Sequence, residues 1–90
     1  MNRQWHIVNW NIRGINDSDK WNALRNKINE ARGDIICIQE TKREQFDSKY
    51  ISNFCPKLIN KFDYVPSIGA SGGILTAWNG SLFIGETIQE

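Results

Sequence analysis

The sequence predicts an α/β fold with a mixed sheet, on three observations. Two short apolar runs, Trp5–Ile12 and Asp34–Gln39, flank one amphipathic helical pattern. That order predicts a strand–helix–strand crossover between parallel strands. Further on, an Asn79-Gly80 pair separates the run Ile74–Trp78 from Leu82-Phe83-Ile84, which predicts an antiparallel hairpin with a type I′ turn.

Each element has its own signature. Along Trp5–Ile12, His6, Val8, Trp10 and Ile12 share one face, and Trp5, Ile7, Asn9 and Asn11 share the other. Large side chains on both faces predict a strand with layers on each side. Gly14–Asp17 reads as a turn, with Asp17 or Ser18 as helix cap. Trp21, Leu24, Ile28 and Ala31 then fall at helical spacing, and Gly33 follows as a stop. Asp34–Gln39 is short and Ile-rich, as buried parallel strands are. A helix of ~14 residues spans roughly 21 Å, close to a six-residue strand at ~3.3 Å per residue, so the crossover closes. Asp47–Phe54 reads as a short helix ended by Pro56, and Phe62–Val65 as a brief strand. No internal repeat, linker or low-complexity segment interrupts the chain.

Composition narrows the classes of function. The 90 residues allow one small domain, with 40% hydrophobic residues and four Trp to build its core. A net charge of +1 argues for neither a polyanionic nor an acidic partner overall, so any attraction to a polyanion is local, for example at Lys42 and Arg43. The spacing of Cys37 and Cys55 fits neither a redox pair nor a zinc pair. Cys37, inside the most apolar run, is expected to pack as a small hydrophobe. Two reduced thiols point to a cytosolic or nuclear protein. Neither a leader peptide nor a run of about 18 apolar residues is evident, so no secretion signal or membrane span is expected.

Asn11 and Glu40 stand where the first two apolar runs end. If those runs are neighbouring parallel strands, both side chains emerge at the carboxyl edge of one sheet, where open α/β sheets bind ligands. A lone Glu at a strand end is usually a solvated loop residue; a Glu paired with Asn at such an edge suits a hard cation and a phosphate oxygen. Asn carries two donors and an acceptor, enough to orient a phosphate, a water or another side chain. His6 lies inside the first strand, where packing is the usual role. Asp17, Asp19, Asp34, Asp47 and Asp63 fall in caps or loops.

Three segments together resemble the endonuclease/exonuclease/phosphatase family: Trp10-Asn11-Ile12-Arg13-Gly14, Gln39-Glu40-Thr41-Lys42, and the stretch from Gly69 through Ala70, Ser71, Gly72 and Gly73 to Asn79. They occur in the family's order and look closest to the endonuclease domain of plant non-LTR retrotransposons. The resemblance implies the N-terminal portion of a DNase I-like four-layer α/β sandwich, with residues 1–90 a truncated single domain. It further implies phosphoester hydrolysis with Mg²⁺ or Mn²⁺, Glu40 as metal ligand, and Asn11 and Lys42 at the catalytic centre. Nucleic acid is the substrate and partner implied for the complete domain, and a DNA-cutting parent suggests the nucleus.

The departures are specific. Arg13 stands where the apurinic endonuclease branch has an Asp, and Ala70 where many nucleic-acid-cutting members have Tyr or Arg. Gly69, Gly72 and Gly73 are accordingly read as serving close backbone packing. The family's later Tyr, Asp-x-Asn and Ser-Asp-His motifs are not in this sequence, and His6 does not replace the last of them. This chain alone is therefore expected to bind metal weakly or not at all and to be inactive. The alternatives are a non-catalytic interaction module, self-associating through an exposed sheet face, or a remnant of a retrotransposon-derived gene.

Overall fold

The computed structural model describes residues 6–69 and 72–81. Its elements are β1 (Ile7–Asn11), α1 (Ser18–Ala31), β2 (Ile35–Gln39), α2 (Ser48–Ile51), β3 (Lys61–Val65) and β4 (Ile74–Trp78). The sheet order is β1-β2-β4-β3. β1 and β2 run parallel, with Asn11 opposite Gln39, whereas β4 is antiparallel to both β2 and β3. The predicted mixed sheet is therefore present. Trp5, Ala70, Ser71 and the Leu82–Ile84 arm of the predicted hairpin lie outside the described residues.

Side-chain alternation decides which face of the sheet is covered. Val8, Ile36, Ile38, Leu75 and Ala77 point inward and bury themselves against Leu24 and Ile28 of α1 and against Ile51, Phe54 and Ile59. The opposite face carries Ile7, Val65 and Ile74, which are 60%, 55% and 43% exposed. Layers on both sides of β1 were predicted; among the described residues only one side has them, because α1 and α2 pack on the same face. Cys37 falls on the uncovered face and is half-buried, so it does not join the core as expected.

Helix α1 begins where the sequence places it, with the Asp17 carboxylate accepting from the Lys20 amide at 3.0 Å. Its end differs in one detail. Arg32, not Gly33, takes the left-handed conformation, with φ 51°. Its N–H donates to Asn29 O and that of Gly33 to Ile28 O, the paired bonds of a Schellman turn. Gly33 is needed for space instead: a Cβ there would meet Val8 Cγ2 at 2.9 Å and Ile36 Cδ1 at 3.0 Å. Helix α2 is one turn long, shorter than predicted, and is capped by Asp47. Asn79 and Gly80 lack the positive φ of a type I′ turn. Their amides are tied elsewhere, Asn79 N–H to Asp34 O and Gly80 N–H to Asn60 Oδ1.

Cys55 sits in the core beyond α2, and its burial pushes the thiol up to about 12 from an ordinary 9.0. Folding thus favours the protonated thiol. The associated stability is intact below pH 9.0 and is lost as pH rises from there towards about 12. Urea unfolding across this range should show a steeper alkaline loss for the native sequence than for Cys55→Val. Equal slopes would mean that the thiol is not shielded.

Candidate active site

Beyond the last paired residues of β1 and β2, the two chains stay together. Ile12 N–H donates to Gln39 O, Gly14 N–H to Glu40 O and Ile15 N–H to Thr41 O, at 2.8–3.0 Å. To do so both chains kink through left-handed φ at residues with side chains: Arg13 at 55°, Glu40 at 55° and Lys42 at 56°. Each such position costs roughly 1–2 kcal/mol in an L-residue. Strain of this kind clusters at sites where a backbone is held for a purpose.

The strain brings the two predicted side chains into contact. Asn11 Nδ2 donates to Glu40 Oε2 at 2.7 Å. The bond fixes one carboxylate oxygen and leaves the other for a further partner. The Glu40 side chain is half-buried and that of Asn11 is exposed, so the pair meets solvent at the carboxyl edge of the parallel strands.

Glycines shape the wall behind it. A Cβ on Gly72 would lie 3.0 Å from both Cα and Cγ of Glu40. Gly73 has φ +84°, and a Cβ there would meet Thr41 Oγ1 at 2.6 Å. Thr41 itself is fully buried and donates its amide to Gly73 O, while Lys42 donates its amide to Gly72 O. Close packing is therefore the role of Gly72 and Gly73, as predicted. Gly69 differs: none of the described residues lies within 4 Å of a Cβ there, and its φ of +55° is what glycine supplies.

Lys42 belongs to the same loop, but its exposed side chain makes no hydrogen bond to Asn11 or Glu40. His6 is at the other end of β1, its ring Nδ1 3.2 Å from Arg32 O. It takes no part in the site.

Sequence reasoning missed the brace that holds this loop. Asn16 Nδ2 donates to Lys42 O at 3.0 Å, and Asn16 Oδ1 accepts from Arg43 Nη1 at 3.2 Å. The Arg43 guanidinium lies 3.5 Å from the centroid of the Tyr50 ring. Tyr50 Oη and Trp21 Nε1 both donate to Ile15 O, at 2.9 and 2.6 Å. Aromatic residues at 21 and 50 were visible in the sequence, but nothing in their spacing shows that they share one carbonyl.

The fold is of the α/β class: a mixed four-stranded sheet that matches part of the DNase I-like fold. Among solved structures, the chain is similar to an AP endonuclease from Leishmania major, with a TM-score of 0.61 and 24% identity. The match covers 86% of this chain and 24% of the other, so this chain spans about a quarter of that protein's length. No protein-family profile matches the sequence, and no curated protein does.

Proposed function

We propose that this chain is the N-terminal portion of a Mg²⁺- or Mn²⁺-dependent phosphodiesterase domain acting on nucleic acid, of the endonuclease/exonuclease/phosphatase family. The observation that carries the reading is the 2.7 Å bond from Asn11 to Glu40 at the carboxyl edge of β1 and β2. Similarity in fold to an AP endonuclease supports it. The three sequence segments, with Arg13 among them, favour a relationship to plant non-LTR retrotransposon endonucleases.

The donor set fits a lightly held cation. Among the described residues no three His, Cys, Asp or Glu side chains converge. One carboxylate beside an amide suits Mg²⁺, which commonly takes one or two carboxylates and keeps several waters. In this reading Glu40 is the ligand, and when bound the ion polarises a phosphoryl oxygen and stabilises the leaving oxygen. Asn11 orients the Glu40 carboxylate, and Lys42 adds positive charge beside the phosphate. The remaining catalytic groups would come from the rest of a complete domain, and catalytic groups that act as a unit lose most of their effect when separated. Weak metal binding and negligible hydrolysis are expected of these 90 residues.

Paramagnetic Mn²⁺ tests the assignment without requiring activity. Low concentrations should broaden the amide signals of Asn11, Glu40 and Thr41 selectively. Glu40→Gln should weaken that response at least about tenfold, an electrostatic loss of roughly 1.4 kcal/mol. Asp63→Asn, on the exposed face of β3, should leave it unchanged. Equal responses from the two variants would sink the metal site.

A second reading rests on the uncovered sheet face with Ile7, Val65 and Ile74. Exposed apolar surface of this kind marks interaction sites. The chain would then be a non-catalytic module that associates with itself or a partner through this face. Sedimentation separates the two readings: a self-associated species turned into monomer by Ile74→Lys, together with indifference to Mn²⁺, favours the module.

A further inference from the structure

Arg43 has more built around it than a loop cation needs. Its guanidinium stacks on Tyr50 at 3.5 Å and meets the Phe46 ring with centroid separation 5.7 Å. Asn16 takes one of its donors, and its Nε is shielded from solvent with no acceptor among the described residues. The group is pre-organised while its charge is incompletely compensated. It lines a recess of about 350 Å³ together with Asp47, Lys49, Tyr50, Ser52 and Asn53.

Charge around this recess is unbalanced. Arg43 and Lys49 line it, and Arg25 reaches its rim by donating to Asn53 O. Asp47 is the one acid in the lining among the described residues, and its Oδ1 is engaged with the Tyr50 amide at 2.8 Å. The Ser52 hydroxyl is turned to Lys49 O at 2.6 Å. A planar guanidinium fixed on an aromatic face, with an ammonium nearby, is the donor geometry that phosphate oxygens select.

We propose that this recess binds a phosphodiester group of a polynucleotide strand whose scissile bond lies at Asn11 and Glu40. The proposal rests on the phosphodiesterase reading and extends it to a second contact. Arg43 is three positions beyond Glu40, at most roughly 11 Å of extended chain. A nucleic-acid strand rising about 3.4 Å per nucleotide covers that in about three nucleotides. Binding here positions the strand without reading its sequence. Tyr50 offers no free stacking face on the side that Arg43 covers, so the recess takes backbone rather than base.

The test is run on the 90-residue chain in chelator, without divalent cation, so that it is independent of Glu40. A short oligothymidylate should shift the amide signals of Lys49, Ser52 and Asn53. Lys49→Glu should weaken binding roughly tenfold at low salt and lower the salt slope by about 1. Lys61→Glu makes the same charge change on the far face of β3 and should stay within about twofold of the native affinity. No shift at those amides, or equal losses from the two variants, overturns the proposal. Inorganic phosphate moving the same signals as tightly as the oligonucleotide also overturns it, in favour of a free-anion site. Failure of the Mn²⁺ experiment with this one intact would remove the metal assignment and leave the strand contact standing.

Discussion

Gly73→Ala is expected to destabilise the protein by about 2–5 kcal/mol, the sum of forcing an L-residue into positive φ and overpacking a closed wall. The φ is +84°, and the new methyl would meet Thr41 Oγ1 at 2.6 Å and Ser67 N at 3.1 Å. Neither neighbour can yield cheaply. Thr41 is fully buried and bonded to Gly73 itself, and Ser67 donates its amide to Arg43 O. Displacing Thr41 also displaces Glu40, so the Asn11 side-chain amide signals should move in the same variant. Gly69→Ala provides the contrast: its φ is also positive but its surroundings are open, so only the conformational cost of about 1–2 kcal/mol applies. Urea midpoints for the two variants should differ clearly. If they coincide, the close approach at Gly73 does not exist in solution.

Phe54→Ala should cost about 3–5 kcal/mol, the usual range for emptying a buried aromatic site. A domain of this size commonly has about 5–13 kcal/mol in all, so a large share would go. Phe54 is fully buried and holds one edge of Tyr50, with ring centroids 6.2 Å apart. Tyr50 in turn packs edge-on against Trp21 and Phe46 and carries Arg43 on its face. The loss should therefore reach beyond the cavity. Near-ultraviolet dichroism of the aromatic cluster should collapse with Phe54→Ala and largely survive with Phe54→Leu. A cost below about 1.5 kcal/mol would place Phe54 outside the core.

The crossover and the placing of Asn11 and Glu40 at one sheet edge were legible because they depend on local signals. Apolar alternation located β1, helical spacing and Asp17 located α1, and the Ile-rich run located β2. Parallel pairing then places Asn11 and Glu40 at one edge, and the left-handed φ at Glu40 completes their contact. What escaped the sequence depends on contacts between distant segments. Position 32 takes the left-handed φ while Gly33 fits closely between Val8 and Ile36, and no residue preference at Arg32 announces it. Likewise, β4 lies between β2 and β3. A reading based on neighbours in sequence looks for its partner across Asn79-Gly80 and misses β2. The brace of Asn16, Arg43 and Tyr50 joins three segments through a single amide and a ring face, a geometry that leaves no periodic trace.

The strand order has a bearing on biosynthesis. β1 and β2 can pair as soon as the crossover has left the ribosome, since their helix lies between them in the chain. β3 has no such option: its described neighbour is β4, which is made later, and β2 is held away from it by one strand position. At about 5–20 residues per second the wait is brief, but throughout it Phe62 and Tyr64 have no strand beside them. When Ile74–Trp78 emerges it closes two ladders at once, against β2 and against β3. A nascent chain halted before residue 74 would therefore carry a finished crossover followed by an unpaired aromatic strand, the species that a chaperone would be expected to meet.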